Sequence, residues 1–343
     1  MRRHCIVPPH ILRAIAANGT ERQQALAWAT MTDSDQFRGQ RALLATLAVV
    51  AAVPAGTKRR TIYDAGRGYT LPGLLVRGEG NPRGKDVAVN EAYDGSGATY
   101  DLYAKVFDRN SIDGRGMRLD STVHYGKNYD NAFWNGRQMV YGDGDGQVFG
   151  RFTKALDVIG HELTHGVTQF EAALVYRDES GALNESISDV FGSLVKQHKL
   201  GQSVTGASWL IGEGLFLPGI AAKGLRSMKA PGTAYDDPLL GKDPQPGHIR
   251  DYVRTLDDNG GVHINSGIPN RAFYELAARL GGNAWEKAGQ IWYRTLRTRL
   301  EPNATFHDAA RATFAAAGEL YGSRSKEQAA VRAAWAEVGL STS

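Results

Sequence analysis

The pattern of apolar and polar residues changes near the middle of the chain. From residue 153 onward, apolar residues recur every three to four positions, which is the spacing of one buried helix face. Glycine, asparagine and proline separate the stretches that carry this pattern, as they do at helix ends. We therefore expect five helices in this half. Their sequences are TKALDVIGHELTHGVTQFE, GALNESISDVFGSLVKQHK, INSGIPNRAFYELAARLG, NATFHDAARATFAAAGELYG and KEQAAVRAAWAEVG.

Residues 60–150 carry a different pattern. Short alternating runs such as YTLPGLLVRGEG and RQMVYGDGDG are broken by glycine, asparagine and aspartate, which predicts a β-rich region with hairpins. The GDGDG at 142–146 resembles part of a calcium loop. It lacks the remaining ligand positions of a helix–loop–helix calcium site, so we interpret it as a tight turn.

The first sixty residues form a third region. A Pro-Pro turn precedes the helical pattern HILRAIAANGTERQQALAWAT, and the apolar RALLATLAVVAAVPAG follows at residues 41–56. We expect this apolar stretch to be a helix or strand that packs on the rest of the chain. It would be the core of a secretory signal only if the assigned start codon were wrong, because it lies about forty residues from the start. The basic PAGTKRR at 54–60 predicts an exposed joint that a protease can cut.

Composition limits the classes of function. The chain has 343 residues, of which 42% are apolar, enough for one large domain or two ordinary ones. The net charge is only +4, with no dense block of lysine and arginine, so we expect no nucleic-acid partner. No apolar run reaches the length of a membrane span, and the start lacks a secretory signal. Cys5 is the single cysteine, so an intramolecular disulfide is excluded.

The candidate chemistry begins at DVIGHELTHGVTQ, residues 157–169. His161 and His165 are four residues apart, so on a helix both imidazoles lie on one face and can bind one ion. Glu162 follows the first histidine and can lean over the same ion. Zinc suits such a site, because it accepts neutral imidazole and carboxylate and leaves a position for water in catalytic sites. The alternative is a chance pair of histidines on a surface helix.

A third ligand is available in the next predicted helix. Glu185, in GALNESISDVFG, lies twenty residues after His165 in a pattern whose apolar residues point inward. A buried carboxylate there needs a partner, and a metal ion is such a partner. Asp189 lies four residues further on, where it can accept the second ring N–H of a ligand histidine. The alternative is that Glu185 is an ordinary solvated residue on a helix.

Four sequence blocks, in this order and spacing, resemble one family. They are NAFWNGRQMVYGDGDG, HELTH, GALNESISD and DNGGVHINSGIPN, and the chain from about residue 60 onward is similar to the thermolysin family of zinc endopeptidases. The start, with CIVPPHIL, resembles the short propeptides of the protealysin-like branch. The resemblance implies an α+β fold, with a propeptide at 1–56, a β-rich subdomain at 57–156 and an α-helical subdomain at 157–343. The zinc cleft would lie between the two subdomains.

The resemblance also implies roles for individual residues. One zinc ion per chain would be held by His161, His165 and Glu185, and Glu162 would be the general base that activates the zinc-bound water. Tyr176 and His263 would stabilise the oxyanion, and Asp258 would orient His263. The residues implied in zinc binding and catalysis are His161, His165, Glu185, Glu162, Tyr176, His263, Asp189 and Asp258.

Substrate binding follows from the same resemblance. Asn131 and Ala132 would hold the substrate backbone as an added strand, and Arg226 would bind a substrate carbonyl. Six apolar residues would form the pocket after the scissile bond, which predicts cleavage on the N-terminal side of bulky hydrophobic residues. They are Phe149, Phe152, Val158, Ile211, Leu215 and Leu225. Phe152 and Leu215 are larger than the usual residues, which predicts a shallower pocket. From the sequence alone, all six could equally be core.

The family's calcium sites are only partly present. Asp157 and Glu213 remain from the acidic site, but Lys196 stands where the second helix should carry a glutamate. The lysine ammonium group can replace a calcium ion by pairing with the two carboxylates. Lys223 stands in the further calcium loop where an aspartate is expected. We therefore expect calcium binding to be absent or reduced.

The N-terminal segment could keep the enzyme latent in two ways, one of which involves Cys5. The propeptide can block the cleft with its Pro-Pro segment, and a thiolate could also bind the open zinc position. The alternative is that Cys5 packs as a small apolar residue and does not touch the metal. We expect activity to appear after a cut near residues 50–57.

Partners and location are expectations of the same kind. The partners implied are protein and peptide substrates, the chain's own propeptide as inhibitor, and a proteinaceous inhibitor, with no nucleic acid and no membrane. We expect a secreted enzyme that uses non-classical export, with a cytoplasmic location as the alternative. Two other functions compete. One is a catalytically dead, zinc-stabilised binding protein, which the presence of Glu162, Tyr176 and His263 disfavours. The other is an aminopeptidase, for which no amine-binding motif is visible.

Overall fold

The computed structural model describes residues 5–46 and 54–343, and side chains are described outside 35–46. It is a mixed α and β structure, as expected, with a sheet-containing half followed by a helical half. The sequence 47–53, the middle of the apolar stretch at 41–56 expected to pack on the body, lies outside the described residues. The cleavage region expected at 50–57 lies partly outside them as well.

The N-terminal segment contains two helices, α1 (Pro9–Asn18) and α2 (Glu21–Thr46). Pro9 is the first residue of α1, where its missing N–H is not needed and its fixed φ favours the helix. Ile11, Leu12 and Ile15 form the buried face of α1 and belong to the main hydrophobic core of the protein. The segment therefore packs as an integral layer and not as a tail.

The first half of the body is built on a five-stranded sheet. Its strands are β1 (Arg60–Asp64), β2 (Leu74–Gly78), β3 (Leu119–Val123), β4 (Ala132–Trp134) and β5 (Met139–Tyr141). The order across the sheet is β2-β1-β3-β5-β4. The pairs β1–β3 and β3–β5 are parallel, and β1–β2 and β4–β5 are antiparallel. This order leaves one side of β4 open for a further strand.

A long helix, α3 (Val87–Phe107), lies within the region expected to be β-rich. The sequence pattern missed it because the segment contains Gly95 and Gly97, which normally break helices. The structure gives the reason for Gly95: a Cβ atom there would lie 2.4 Å from Cδ1 of Ile159. The glycine lets α3 approach the helix that carries the histidine pair.

The second half is mainly helical. The helices are α4 (Leu156–Phe170), α5 (Asp178–Leu200), α6 (Asp258–Asn265), α7 (Gly267–Leu280), α8 (Ala288–Thr298), α9 (Phe306–Tyr321) and α10 (Lys326–Glu337). Two short hairpins lie between α5 and α6, β6 (Leu210–Ile211) with β7 (Arg226–Ser227) and β8 (Asp236–Asp237) with β9 (Gly241–Lys242). The five expected helices are present, and α6 and α8 were not predicted.

Glycines bring α4 and α5 into contact. A Cβ atom on Gly192 of α5 would lie 2.4 Å from the carbonyl oxygen of Asp157 in α4. A Cβ atom on Gly160 would lie 3.0 Å from Cα of Gly192. Since both positions lack a side chain, the two backbones pack closely, and the polar residues next to this crossing are directed at each other.

Candidate metal centre

The three expected ligands meet at the crossing of α4 and α5. His161 and His165 lie one turn apart on α4, Glu185 faces them from α5, and all three are buried. Their ligand atoms lie within 4.8 Å of one another, and among the described residues no other group of histidine, cysteine and acidic side chains meets this condition. Nε2 of His161 lies 3.0 Å from Nε2 of His165 and 3.4 Å from Oε2 of Glu185.

The donor set fits zinc. Two imidazole nitrogens and one carboxylate oxygen are the ligands of catalytic zinc sites, which keep one further position for water. Oε2 of Glu185 is buried and forms no well-aligned hydrogen bond among the described residues; its nearest ring nitrogens, Nε2 of His161 and of His263, lie at 3.4 and 3.5 Å. A buried carboxylate oxygen without a donor is costly unless a cation binds it. The arrangement therefore fits a divalent metal ion better than a purely structural polar cluster.

Further polar groups fix the two histidine rings. Nδ1 of His161 lies 2.8 Å from Oδ1 of Asp189, the partner expected from the sequence. Nδ1 of His165 lies 2.8 Å from Oδ1 of Asn184 and 2.9 Å from Oγ of Ser188. These contacts hold Nδ1 of each ring and leave Nε2 for the metal. The sequence analysis missed Asn184 and Ser188, although both lie within the GALNESISD block.

The two acidic groups of the site, Glu185 and Asp189, stay ionised although they are buried. Burial works to raise the pKa of Glu185, but nearby His263, His161 and Arg226 hold it well below its usual range. Burial also opposes ionisation of Asp189, yet Arg226 and His161 lower its pKa to about 2. Both groups are therefore carboxylates at neutral pH. Glu185 faces the histidine pair, and the charge of Asp189 is neutralised by Arg226.

Arg226 is buried and connects two parts of the site. Its Nε donates to Oδ2 of Asp189 and its Nη2 to Oδ1, each at 2.8 Å, so the pair is bidentate. Its Nη1 donates to the carbonyl oxygen of Ile6 at 3.1 Å. Asn270, which the sequence analysis did not identify, also donates to Asp189 at 2.8 Å. The guanidinium is thereby fixed with one N–H directed at a peptide carbonyl.

Tyr176 and His263 lie beside His161, His165 and Glu185, the group of ligands that we call the metal-capable cluster. The hydroxyl of Tyr176 contacts Oε1 of Glu185 and lies 3.3 Å from Nε2 of His263. Burial, together with the charge of Glu185, raises the pKa of Tyr176 well above its usual value, so it stays an O–H donor. Both groups can therefore donate hydrogen bonds to a negative charge that develops near the metal position.

Asp258 holds His263 in place. Its Oδ1 lies 2.8 Å from Nδ1 of His263, and its Oδ2 accepts the His263 backbone N–H at 2.9 Å. Burial acts against the protonated imidazole, but Asp258 and Glu185 raise the pKa of His263. Nε2 of Gln245, another residue absent from the sequence-based set, donates to the His263 carbonyl at 2.8 Å. Asp258 thus orients the imidazole, and both Asp258 and Gln245 hold the backbone of His263.

Glu162 follows the first ligand histidine on α4 and contacts the edge strand β4 of the sheet. Its side chain is buried, and Oε2 accepts the backbone N–H of Trp134, at the end of β4, at 2.9 Å. The carboxylate is therefore fixed next to the strand where a peptide can add.

A peptide segment does occupy that position. Residues 5–7 run along β4, with an antiparallel bridge between Cys5 and Phe133. The N–H of Ile6 donates to the carbonyl of Ala132 at 3.2 Å, and the N–H of Val7 donates to Oδ1 of Asn131 at 3.0 Å. Asn131, Ala132 and Arg226 thus bind a backbone in the structure, and that backbone is the chain's own N-terminal segment.

The six apolar residues expected to form the specificity pocket are all buried. They belong to one hydrophobic cluster, and Ile6, which is 0% exposed, belongs to the same cluster. Phe149 and Phe152 pack with ring centroids 5.7 Å apart. The six residues therefore provide an apolar wall within the main core.

Cys5 packs with aromatic residues. It belongs to a small buried cluster with Tyr125, Tyr129, Phe133 and Val140. The metal-capable group within residues 5–46 and 54–343 does not include it. Its carbonyl oxygen lies 3.0 Å from Nε2 of His263. The packing expected as the alternative is therefore present, and ligation of zinc by the thiol stays a prediction.

Lys196 lies between Asp157 and Glu213, the two acidic residues that remain from the expected calcium site. Nζ of Lys196 lies 3.1 Å from Oδ2 of Asp157 and 2.9 Å from Oε2 of Glu213. Lys223 is exposed on a surface segment, and its backbone N–H donates to the carbonyl of Ala234. The ion pairs expected for Lys196 are therefore present.

Of the helices in the described part of the chain, none combines the length and apolar character needed to cross a membrane.

Two family models match the chain. Residues 44–169 match the model described as thermolysin metallopeptidase, catalytic domain, and residues 172–340 match thermolysin metallopeptidase, alpha-helical domain. An extracellular metalloprotease of Pectobacterium carotovorum subsp. carotovorum is 51% identical over 98% of this chain and 96% of its own length. Protease PrtS of Photorhabdus sp. (strain Az29) is 50% identical over 98% of this chain and 91% of its own length.

A solved structure is similar over nearly the whole length. It is described as the precursor of protealysin, a metalloproteinase from Serratia proteamaculans, and it is 54% identical to this chain. The similarity covers 98% of this chain and 99% of that one, with a TM-score of 0.89. The N-terminal segment is included in this match.

Proposed function

This chain belongs to the thermolysin family of metallopeptidases and is a zinc metalloprotease, and we propose that it is a latent endopeptidase that cleaves before bulky apolar residues once its N-terminal segment is removed. One observation carries the proposal. A peptide backbone lies on β4, with its Cys5 carbonyl 3.0 Å from His263 and beside the three metal-capable residues. The groove thus accepts a peptide next to the site of chemistry.

The metal would be held by His161, His165 and Glu185. When bound there, zinc polarises the scissile carbonyl and lowers the pKa of a bound water. Glu162 takes the proton of the attacking water and delivers it to the leaving amine. Its contact with the N–H of Trp134 keeps the carboxylate at the edge of the groove. From there it can reach both the oxygen of the attacking water and the nitrogen of the leaving amine.

Tyr176 and His263 stabilise the negative charge of the tetrahedral intermediate. Both can donate to an oxygen in the position now held by the Cys5 carbonyl, and Asp258 keeps the imidazole oriented. Preorganised donors of this kind each contribute about 2–4 kcal/mol to lowering the barrier. Asp189 acts through His161 and Arg226, as a residue that positions both.

Substrates bind in an extended conformation. Asn131 and Ala132 accept backbone N–H groups, and Arg226 donates to the carbonyl that follows the scissile bond. The apolar wall near Phe152, Leu215 and Leu225 selects a bulky hydrophobic side chain after that bond. Buried apolar area contributes about 25 cal/mol per Å², so a large side chain is favoured over a small or polar one.

The N-terminal segment keeps the enzyme latent. We assign residues 1–56 to the propeptide, 57–156 to the β-rich subdomain and 157–343 to the helical subdomain. Removal of the propeptide frees β4 for substrates. Calcium is not needed, because Lys196 supplies the positive charge between Asp157 and Glu213. The Pectobacterium relative is named an extracellular protease, which favours action outside the cell.

Metal analysis and a peptide assay test the proposal together. The purified precursor should contain one zinc per chain and hydrolyse quenched peptides weakly, and the matured enzyme should be active until a zinc chelator is added. Product N-termini should begin with bulky apolar residues. Glu162→Gln should keep the zinc but lose activity by about 10²- to 10⁴-fold, whereas Glu286→Gln, at an exposed position, should not. A matured enzyme without metal, or fully active in chelator, contradicts the proposal.

A further inference from the structure

The N-terminal segment lies in the groove in the direction of a substrate. Four hydrogen bonds define its register, and each involves a group that the proposed mechanism uses on substrates. The N–H of Ile6 donates to Ala132 and the N–H of Val7 to Asn131. Arg226 donates to the carbonyl of Ile6, and Nε2 of His263 faces the carbonyl of Cys5. A segment that ran in the opposite direction would present carbonyl groups where these N–H groups lie and N–H groups where these carbonyls lie. It could not form the same four hydrogen bonds.

The register places one peptide bond at the reactive position. The carbonyl of Cys5 is the one that faces His263, and the next carbonyl, of Ile6, is the one that Arg226 binds. The bond between Cys5 and Ile6 is therefore the bond that the proposed mechanism would cleave. Cys5 also pairs with Phe133, directly before Trp134, whose N–H fixes the carboxylate of Glu162.

The side chain after this bond fits the specificity proposed above. Ile6 is bulky, apolar and 0% exposed, so its side chain is buried within the main hydrophobic core. Val7 is 1% exposed. The segment therefore does not evade cleavage by presenting an unsuitable residue, and Pro8 enters only two positions beyond Ile6.

The remainder of the propeptide is anchored independently of the bond. Ile11, Leu12 and Ile15 of α1 are buried in the core. His10 lies 2.9 Å from the hydroxyl of Tyr235, and Arg13 forms an ion pair of 3.0 Å with Asp257. These contacts lie on the C-terminal side of Ile6, so they would survive a cut before it. The new amino terminus at Ile6 would stay in the groove at a high effective concentration.

We propose that the precursor hydrolyses its own Cys5–Ile6 bond and remains latent afterwards. The proposal rests on the proposed function, because it uses the same site. One water is consumed: its oxygen bonds to the carbonyl carbon of Cys5, the bond from that carbon to the Ile6 nitrogen breaks, and the proton taken by Glu162 passes to that nitrogen. The products are a peptide that ends at Cys5 and a chain that begins at Ile6. Latency is then maintained by a bound product, and a separate cut nearer residue 56 releases activity.

The test follows the N-terminus of the purified full-length chain. Intact mass and N-terminal sequencing over time should show a chain that begins at Ile6, while hydrolysis of a quenched peptide stays low. The rate should not depend on protein concentration, because the bond is delivered within one molecule. Glu162→Gln should slow the cut by about 10²- to 10⁴-fold. Cys5→Ser, which keeps Ile6 and its backbone contacts, should be cut at the same place.

The outcomes separate this proposal from the proposed function. If the precursor keeps Cys5 joined to Ile6 while its matured form hydrolyses peptides, self-cleavage is wrong and the endopeptidase stands. Equal trimming of wild type and Glu162→Gln would assign the cut to another protease and also overturn the proposal. If the cut at Ile6 alone released full peptidase activity, the claim of retained latency would be wrong. Loss of both the cut and peptide hydrolysis in matured enzyme would refute the proposed function itself.

Discussion

The ammonium group of Lys196 lies 3.1 Å from the carboxylate of Asp157, which is 1% exposed. Burial raises the pKa of Asp157, and the charge of Lys196 only partly offsets this effect. The carboxylate therefore depends on its lysine partner. Glu213, which is half exposed, completes the group at 2.9 Å from Lys196. A fixed cation thus stands where carboxylates could otherwise bind a divalent ion.

Lys196→Met should destabilise the protein. The methionine fills most of the lysine volume but leaves Asp157 without a cation, and such a loss costs about 2 kcal/mol when one partner remains partly solvated. Thermal unfolding should show a lower Tm, and calcium should not restore it fully. Lys223→Met is the matched control, because this exposed lysine forms no side-chain ion pair within the described part of the chain, and its Tm should be unchanged.

Lys196→Glu should change the response to calcium. It would add a third carboxylate beside Asp157 and Glu213, and calcium prefers several oxygen ligands. We expect the Tm of this variant to rise with added calcium and to fall in a calcium chelator. The wild-type Tm should barely respond to either. A wild-type Tm that drops on calcium removal would mean that Lys196 does not replace the ion.

Tyr176→Phe should lower kcat in the matured enzyme. The substitution removes one hydroxyl donor near the metal-capable cluster and keeps the ring, so substrate binding should change little. Loss of one such donor costs about 10²- to 10³-fold in kcat. Steady-state kinetics should therefore show a large fall in kcat with a similar KM. Tyr252→Phe, outside the cluster, is the control, and an equal loss there would argue against the assigned role.

The ligand cluster could be predicted from the sequence because its determinants are local. His161 and His165 are placed on one face by helical spacing alone, and Glu185 lies in an equally clear helical pattern. Even the role of Asp189 could be predicted, because it lies one helical turn after Glu185. Asn184, Ser188 and Gln245 escaped because neutral polar residues are common on helices and loops, and nothing in their spacing marks them. Their importance appears only when the histidine rings are placed.

The sequence patterns missed three helices, α3, α6 and α8, and α6 is only eight residues long with Asn259, Gly260 and Gly261 at positive φ. α3 contains Gly95, which lets it approach Ile159 of α4, and Gly97, which lies against the Arg60 side chain, but in a single sequence both glycines indicate a break. α8 is only eleven residues long and is rich in polar residues. The groove register was also beyond prediction, since Cys5 and His263 are 258 positions apart. Contacts of such separation depend on the whole fold and leave no local pattern.

His124 should give the protein a pH-dependent stability. Hydrogen bonding to Asp143, against the effect of burial and with help from Asp86, raises the pKa of His124 from 6.5 to about 9. The folded state therefore binds this proton more tightly than the unfolded state. The stabilisation is fully present below about pH 6.5 and is lost as the pH rises through about 9.

The His124→Ala variant measures this contribution. Since Asp86 is 43% exposed, we expect only about 1 kcal/mol. Thermal unfolding from about pH 6 to about pH 10 should show the variant below wild type at the acidic end, by about 2 °C. The two curves should converge at the alkaline end. A Tm difference that is constant with pH would mean that the charge of His124 does not contribute.

The latency of the precursor should depend on the buried face of α1 more than on its exposed ion pair. Leu12 is 2% exposed within the main core, and Leu12→Ala should cost about 2 kcal/mol, equivalent to about a 30-fold larger population of released propeptide. Arg13→Ala removes a pair whose side chains are 47% and 69% exposed, so it should change the released population at most about five-fold. Initial rates of peptide hydrolysis by freshly purified precursors, in variants that bind equal zinc, compare the two. If Arg13→Ala released more activity than Leu12→Ala, the propeptide would be held by charge and not by apolar packing.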